Sequence, residues 1–485
     1  MRQTRTIGGV SLLTAGILAA TMAPARATYF TAGNLVVSLY GNGDGSGTYT
    51  DNQASPITLR ELTTSGATMR QLVLPQSGNT AISGEYGSSS EGTLQRSADG
   101  TSLVIAGYGV TASVFNANPA SYGGGTKTCI TGGASAVTCY PLAQTSSVSP
   151  APAGTTAVPR VIAAIDANGT VDTSTRLYNV FNQNNPRSVA TVDGSTFYIS
   201  GQGNATANQG LFVARKGASS ATQIYGTVDT RTVSIQNGGL YLSMDSTQGS
   251  GVTENISKFG TTSALPTSTT SPAVQTNIKS KFTVTALSQL NTIDQAGNAA
   301  GIAAGSKIYL SPENYFFANA TTLYVADSGN PKGDNNGTGK AAQGLSNGGL
   351  QKWSLVNGTW ILDYTLSAGL NLVPDTTACG SNQIGCGTTG LIGLAGQVIG
   401  DVVALFATNA TLGDLDQTYV YAISDSLSAL TLPTNEVFNA IYTAPADTNV
   451  RGIAFAPQAV PEPASLAVLG AGLIGLGALR RRRHA

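Results

Sequence analysis

Short runs of β-branched and aromatic residues, separated by glycine-containing turns, recur along most of the chain. Asp99 and Gly100 precede the apolar run 103–105, and the Asn-Gly dipeptide at 357–358 separates two runs that each contain a tryptophan. Turns of this composition between such runs are typical of antiparallel β-hairpins. Residues 28–458 show no convincing helical period. The pattern therefore predicts an all-β fold.

The strand-like runs recur at a loose interval that matches the size of a propeller blade. Phe197 and Leu240 are 43 residues apart, and Leu323 and Val403 are 80 residues apart, close to twice the first interval. Four-stranded blades repeat every ~40–50 residues. We expect a β-propeller with six to eight blades, about seven. The alternatives are stacked β-sandwiches and a right-handed β-helix, whose shorter repeat of roughly 20–25 residues is not found.

The two ends of this domain are expected to pair within one blade. The late run 452–456 would join the early runs 35–40 and 57–62, because joining the chain ends removes exposed sheet edges. Residues 323–330 also resemble the inner strand of NHL-type blades. The prediction is thus an NHL-like propeller over residues 28–458.

The N-terminus has the pattern of a secretory signal peptide over residues 1–27. Arg2 and Arg5 precede an uncharged, largely apolar stretch, and Ala25 and Ala27 form an A-x-A site. Signal peptidase accepts small residues at these two positions. We expect cleavage after Ala27; a retained membrane anchor is the alternative.

A second apolar segment, 464–479, lies near the C-terminus. Its sixteen residues form a helix of about 24 Å, shorter than the roughly 30 Å hydrocarbon core. Local bilayer thinning and long arginine side chains still allow it to span. Arg480, Arg481, Arg482 and Arg483 follow directly and are expected to remain in the cytoplasm as the membrane stop.

This tail resembles a known family. Pro461, Glu462 and Pro463, the apolar segment and the four terminal arginines occur in the order found in PEP-CTERM proteins of Gram-negative, exopolysaccharide-producing bacteria. The resemblance implies that residues 459–485 are a sorting tail with a transmembrane helix, read by the membrane protease exosortase. It implies export through the inner membrane to the cell surface or the extracellular matrix of a biofilm.

The layout between the termini is also similar to a subset of PEP-CTERM proteins with one propeller-like ectodomain. The stretches that carry this resemblance are 30–37, 41–47, 97–100 and 451–457. No activity is attached to that subset. The resemblance therefore indicates the route of export and leaves the role of the ectodomain open.

Composition narrows the choice of partners. With the two termini set aside, the body has 18 of the 25 basic residues and 24 of the 25 acidic ones, a net charge near −6. An acidic body repels phosphate backbones, so nucleic acid is not an expected partner. Only 10% of residues are charged and 59 are glycine, as is typical of a turn-rich exported β protein.

The only histidine, His484, lies in the predicted cytoplasmic tail. Without an imidazole, the body cannot form a Ser-His-Asp or Cys-His catalytic system, a His-rich zinc site or a His-ligated haem site. Carboxylate-only mechanisms and oxygen-ligated calcium remain open.

All four cysteines fall in the exported part, where an even number favours disulfides. Three pairings are possible. We predict Cys129 with Cys139 and Cys379 with Cys386, because each pair brackets a short Gly/Thr-rich loop. A four-cysteine metal site is the alternative, although neither spacing fits it.

Candidate chemistry is sparse. Asp44, the set Asp327, Asn330 and Asp334, and the pair Asp414 and Asp416 offer oxygen ligands for calcium, but none matches an EF-hand loop. Aspartates next to glycine serve more often as turn residues.

Glu85 and Glu91 flank Tyr86 and would suit a glycosidase only if they met in space; an exposed loop is the simpler interpretation. Strand tyrosines are a candidate sugar platform, although ordinary strand packing explains them better. They are Tyr108, Tyr198, Tyr241, Tyr309 and Tyr324.

The sequence thus predicts a non-enzymatic protein without catalytic residues, metal or cofactor, whose ectodomain binds exopolysaccharide or another surface component. The alternative is a carboxylate-based polysaccharide hydrolase or lyase on a propeller scaffold. The feature that separates them is the convergence of two or three acidic residues in one pocket.

Overall fold

The computed structural model describes residues 28–43, 48–130, 136–227, 229–244, 256–261, 264–275, 281–283, 307–309, 311–329, 348–373 and 386–459. All of these except Thr28 belong to one unit, Tyr29–Ala459. The predicted signal peptide and residues 460–485 lie outside the described residues.

The residues at the tight turns determine where the β-hairpins form. Asn357 and Gly358 have φ angles of 50° and 79°, the positive values that a type I′ turn requires at both central positions. This turn joins β23 (Gly349–Val356) to β24 (Thr359–Leu366), which pair from Val356 and Thr359 back to Leu350 and Leu366. The hairpin predicted from the sequence is confirmed.

The first blade contains both ends of the domain. From the inner edge its strands are β29 (Asn449–Phe455), β1 (Leu35–Tyr40), β2 (Ala54–Leu62) and β3 (Thr68–Val73). Leu35 lies opposite Phe455 on one side and Leu62 on the other, and all neighbours are antiparallel. The predicted closure of the propeller by its terminal strand is confirmed.

The second blade has a divided inner strand. β4 (Ser83–Glu85) and β5 (Gln95–Arg96) both pair with β6 (Ser102–Tyr108), which is followed outward by β9 (Arg160–Asp166) and β10 (Val171–Leu177). β4 also pairs with β2, so the first two blades share a nine-stranded sheet. Between β6 and β9 lie α1 (Ala112–Ala117) and the hairpin of β7 (Lys127–Ile130) and β8 (Ala136–Cys139).

Four further four-stranded sheets form blades 3 to 6, each in chain order from the inner strand outward. Blade 3 consists of β11 (Pro186–Thr191), β12 (Thr196–Gly201), β13 (Gly210–Arg215) and β14 (Thr222–Tyr225). Blade 4 consists of β15 (Thr230–Gln236), β16 (Gly239–Met244), β17 (Ile256–Phe259) and β18 (Pro272–Gln275). Blade 5 consists of β21 (Pro312–Phe317), β22 (Thr322–Asp327), β23 and β24. Blade 6 consists of β25 (Thr388–Ile399), β26 (Val402–Thr411), β27 (Tyr419–Ser426) and β28 (Asn439–Thr443).

The remaining elements are short. A two-stranded sheet of β19 (Lys281–Thr283) and β20 (Lys307–Tyr309) lies between blades 4 and 5 in sequence. Turns of 3₁₀ helix occur at Gly78–Thr80, Pro119–Tyr122, Leu142–Gln144 and Thr206–Asn208.

The inner strands form a closed ring. β29 contacts β5, β5 contacts β11, and the contacts continue through β15, β21 and β25 back to β29. This ring makes the fold a β-propeller, as predicted. The described residues form six blades, one fewer than the central expectation of seven and within the predicted range.

The core lies in layers between neighbouring blades. Leu59 of blade 1 belongs to the same buried cluster as Ile105 of blade 2, and Leu350 of blade 5 clusters with Leu405 of blade 6. Alternate residues of each strand face opposite neighbours, so both faces of a blade are buried. The blades are therefore close-packed, and the ring is rigid.

A buried polar cluster joins blade 5 to blade 6. Lys352 Nζ lies 3.2 Å from Asp425 Oδ2, and neither side chain is exposed. The hydroxyls of Tyr324 and Tyr364 also donate to Asp425, and Lys352 donates to the carbonyls of Ser426 and Ala429. Because a buried ion pair pays a desolvation cost, this cluster is better explained as fixing blade register than as adding stability.

Candidate ligand site at the propeller axis

Every blade contributes to the lining of a pocket on the propeller axis. The space measures ≈ 280 Å³ when the open solvent at its mouth is included. Three serine and threonine residues near the divided strand of blade 2, Ser89, Ser90 and Thr93, add hydroxyl groups, as does Thr232. The other six lining residues, one from each blade in order from blade 1, are Arg451, Glu91, Arg187, Arg231, Glu313 and Ile392.

A chain of ion pairs crosses the pocket wall from blade 3 to blade 5. Asp229 Oδ1 lies 3.1 Å from Arg187 Nη1 and 3.4 Å from Arg231 Nη2. Arg231 Nε lies 3.4 Å from Glu313 Oε2. Burial and the adjacent Arg231 lower the pKa of the Arg187 guanidinium from its usual value, but arginine stays protonated in proteins. The two arginines thus face two carboxylates.

Arg451 lies outside this chain of ion pairs. Its side chain is only 2% exposed, and its Nε and Nη2 have no hydrogen-bond partner among the described residues. Burial lowers the pKa of this guanidinium, and Asp414 opposes that effect. A buried cation with unmade hydrogen bonds is costly to a fold.

The segment that precedes β5 is fitted closely over Arg451. Ser38 Oγ donates to the carbonyl of Gly92 and accepts from the backbone N–H of Gly452. Gly92 has a φ of +80°, and a Cβ there would lie 2.7 Å from the Cβ of Arg451. Only glycine fits this position, because the backbone is left-handed and the space is filled.

Glu91 is buried beside a second carboxyl. Tyr108 OH donates to Glu91 Oε1, and the backbone N–H of Glu85 donates to Glu91 Oε2 at 3.3 Å. Burial raises the pKa of Glu91 to about 7, although the hydrogen bond from Tyr108 opposes the rise. Burial, followed by the neighbouring Glu91, holds the pKa of Glu85 well above its usual range. Glu85 also accepts from the backbone N–H of Ala143.

The expectation that Glu85 and Glu91 occupy an exposed loop is therefore wrong, since they are 6% and 3% exposed. The segment between β4 and β5 folds inward because it belongs to the divided inner strand of blade 2. Of the two carboxyls, only Glu91 lines the pocket. At pH values below about 7 it adds a neutral acid to the wall.

A sequence signal for this pocket exists but was missed. Arg187, Arg231 and Glu313 are each the second residue of an inner strand, and Arg451 is the third. Each stands two positions before a buried apolar residue: Val189, Val233, Tyr315 and Ile453. A charged residue at the same place in successive blade repeats would have indicated an axial site.

Two of the calcium candidates, Asp327 and Asp416, accept backbone hydrogen bonds as turn residues do. Asp327 accepts backbone hydrogen bonds from Ser311 and Gly329. Asp416 accepts them from Cys386, Gly387 and Gly413. Asp44, Asn330 and Asp334 lie outside the described residues. Within the described ranges, no group of three His, Cys, Asp or Glu side chains is arranged to hold a metal ion.

The strand tyrosines pack inside the blades. Tyr108, Tyr198 and Tyr324 are buried, and the described lining of the axial pocket contains no tyrosine. Tyr241 packs against Phe317, and the side chain of Tyr309 lies outside the described part. The packing explanation is confirmed for these four.

The predicted disulfide between Cys129 and Cys139 is present, with Cα atoms 5.8 Å apart. It closes the β7–β8 hairpin. Cys386 is itself in a disulfide, whereas Cys379 lies outside the described residues. The pairing of Cys379 with Cys386 therefore stays a prediction, which peptide mapping under non-reducing conditions tests.

The remaining predicted site residues lie outside the described part of the chain. They are the cleavage residues Ala25 and Ala27, the triplet Pro461, Glu462 and Pro463, and Arg480, Arg481, Arg482 and Arg483. Among the described residues, no helix is long and apolar enough to cross a membrane. The predicted helix 464–479 was not part of that range.

Comparison with protein families finds one match at the C-terminus. Residues 459–483 match the PEP-CTERM protein-sorting motif. The chain ends in a PEP-CTERM sorting signal. This motif marks an exported protein that is anchored in the membrane during transit and is processed by exosortase. The match covers the predicted triplet and the four arginines and leaves the ectodomain unassigned.

Solved structures offer only distant similarity. AztD from Citrobacter koseri shares 8% identity over 87% of this chain and 97% of its own, with a TM-score of 0.31. A hypothetical selenium-binding protein from Sulfolobus tokodaii shares 8% over 89% and 96%, with a TM-score of 0.34. The β-propeller domain of the Trilobed protease from Pyrococcus furiosus shares 6% over 81% and 98%, with a TM-score of 0.29. The ring of inner strands, rather than these similarities, carries the fold assignment. No curated protein matches the chain.

Proposed function

We propose that this protein is delivered to the cell surface or the extracellular matrix, where its propeller binds exopolysaccharide without catalysing a reaction. The observation that carries the proposal is the axial pocket, in which a buried guanidinium keeps unmade hydrogen bonds on a chain that ends in a sorting signal. A preformed polar pocket in a rigid ring suits recognition of a polar ligand.

Charge distribution supports local recognition over general adhesion. The body is acidic overall, near −6, so the surface as a whole repels an anionic polymer. Three arginines, Arg187, Arg231 and Arg451, line the axial pocket. Binding would therefore depend on groups that enter the pocket, and the outer faces of the blades would contribute little.

Blocking the pocket tests this proposal. Ile392 lies in the pocket wall and is 9% exposed, whereas Ile399 on the same strand is 62% exposed. Ile392→Trp should reduce binding to the host's exopolysaccharide at least tenfold, because the indole fills the opening. Ile399→Trp is the matched control and should bind like the wild type.

Both variants should keep the wild-type circular dichroism spectrum. Equal binding by a correctly folded Ile392→Trp variant would move the binding surface away from the axis and refute the proposal.

A second function is favoured by one observation. Glu91, with its pKa raised to about 7, and Glu313 line the same pocket, which is the convergence of acids that the hydrolase alternative requires. Glu313 is engaged with Arg231 and with Ser328. Release of reducing ends from exopolysaccharide by the wild type, abolished in a folded Glu91→Gln variant, would establish the hydrolase in place of the binding protein.

A further inference from the structure

We propose that the axial pocket is a carboxylate site, in which Arg451 and Arg187 bind the carboxylate of a uronic acid unit. The source of that unit, an acidic exopolysaccharide, rests on the function proposed above. The site itself rests on the geometry of the pocket and on the charges of its wall.

Comparison with another buried arginine shows why Arg451 indicates a ligand. Arg160 is fully buried too, but its guanidinium donates to the carbonyls of Val158 at 2.8 Å, Phe181 at 2.9 Å and Asn184 at 2.9 Å. The fold thus satisfies both terminal nitrogens of Arg160 with its own acceptors, although Nε of Arg160 has no partner among the described residues. For Arg451 the described residues offer no acceptor to Nε or Nη2, although the side chain borders open space.

Arg187 supplies a second donor to the same space. Its Nη1 is held by Asp229 at 3.1 Å and by the carbonyl of Thr230 at 2.8 Å. Its Nε has no partner in the described part of the chain, and the residue is 8% exposed. A guanidinium fixed at one nitrogen is already oriented, so little side-chain entropy is lost when a ligand binds.

The charges of the wall favour a monoanion. Arg187 and Arg231 form ion pairs with Asp229 and Glu313, whereas Arg451 interacts electrostatically with Asp414 and keeps two nitrogens without a hydrogen-bond partner among the described residues. Glu91 beside it is neutral at mildly acidic pH. A carboxylate supplies one negative charge and two coplanar acceptors that match the planar guanidinium. A dianionic phosphate would bring a second charge toward Glu313.

The polarity of the opening fits a sugar unit. The pocket itself is narrow and open to solvent, so the carboxylate would enter it while the sugar ring stays at the mouth. The hydroxyl groups of Ser89, Ser90, Thr93 and Thr232 line the same opening and can exchange hydrogen bonds with sugar hydroxyls.

Isothermal titration of the full chain in detergent tests the site with four probes at pH 6: methyl glucuronide, methyl glucoside, sulfate and phosphate. The glucuronide should bind at least tenfold more tightly than the glucoside, which differs only at the carboxylate, and more tightly than either inorganic anion. Equal binding of the two sugars refutes the inference. Tighter binding of sulfate or phosphate also refutes the carboxylate assignment.

Variants locate the site. Arg451→Met should lower the affinity for the glucuronide at least tenfold, and Arg451→Lys should recover only part of it, because lysine keeps the charge without the planar fork. Arg215, an exposed residue on β13, gives the control Arg215→Met, which should bind like the wild type. Without ligand, Arg451→Met should not lower the melting temperature, since it removes a buried charge that leaves two hydrogen bonds unmade among the described residues.

A melting temperature that falls by several degrees in Arg451→Met would assign Arg451 a structural role and refute the inference, as would undiminished binding. Exopolysaccharide whose carboxyl groups have been chemically reduced separates the two proposals. If the native and the reduced polymers bind equally, the carboxylate site is wrong and the binding function stands. If the glucuronide binds but the native polymer does not, the site stands and the proposed function is wrong.

Discussion

Replacing Glu91 by glutamine should change how the stability of the protein depends on pH. Burial raises the pKa of Glu91 from 4.5 to about 7 in the folded state. Because the folded pKa lies above the unfolded one, the stabilising contribution of the neutral carboxyl is fully present below pH 4.5. It is lost as the pH rises toward 7.

The size of the effect follows from the shift. One pKa unit corresponds to about 1.36 kcal/mol, so the rise to about 7 makes Glu91 destabilise the fold by about 3 kcal/mol at pH 8. At pH 5 most of that penalty has not yet developed. The free energy of unfolding of Glu91→Gln relative to wild type should therefore increase by about 2 to 3 kcal/mol between pH 5 and pH 8.

Glutamine keeps most of the local geometry. Its oxygen still accepts one hydrogen bond, and the hydroxyl of Tyr108 can accept from the new amide because a hydroxyl both donates and accepts. Glu85, Asp327 and Glu436 also have raised pKa values, so the wild type should lose stability over the same pH range. The variant should lose less.

Urea unfolding of the full chain, followed by circular dichroism at pH 5, 6, 7 and 8, measures this difference. Asp193→Asn is the control, because hydrogen bonds from Ser195 lower the pKa of Asp193 and its titration ends below pH 5. The free energy of unfolding of Asp193→Asn should change with pH in parallel with that of the wild type. A Glu91→Gln curve that also runs parallel would show that Glu91 is ionised in the fold and refute the buried acid.

Two further predictions concern export and the pocket wall. In a strain with exosortase, intact-mass measurement should show a mature protein that starts at Thr28 and lacks the apolar tail. The double variant Pro461→Ala with Glu462→Ala should retain the tail. An intact tail on the wild-type protein would contradict processing and indicate that the tail is only a membrane anchor. Gly92→Ala should lower the melting temperature more than Gly194→Ala. Both glycines have a φ of +80°, but only at Gly92 would the new Cβ lie against another residue. Equal losses of melting temperature would show that backbone strain alone is responsible.

The hairpins and the closure of the ring were predictable because their determinants are local. Asn357 and Gly358 favour positive φ wherever they stand, and the repeat length suggests a blade. The terminal pairing follows from the need to remove sheet edges. The six blades of the described residues lie within the predicted range of six to eight and one below its central value.

The axial pocket was not predictable by the same reasoning. Its side chains from successive blades are separated by 44 to 96 residues and meet only after six inner strands close into a ring. Glu85 and Glu91 looked like loop residues because they lie among glycines and serines. Their burial depends on the divided strand of blade 2, and no local pattern encodes that division. The two unpartnered nitrogens of Arg451 likewise appear only when its neighbours in the described structure are known.

The most direct test of the account is a crystal structure of the protein with methyl glucuronide at mildly acidic pH. The account predicts the sugar carboxylate at the propeller axis, with its oxygens about 2.7 to 2.9 Å from Nε and Nη2 of Arg451 and with Arg187 as the second donor. A carboxylate bound elsewhere, or an Arg451 whose two nitrogens bond to acceptors of the protein itself, would contradict it.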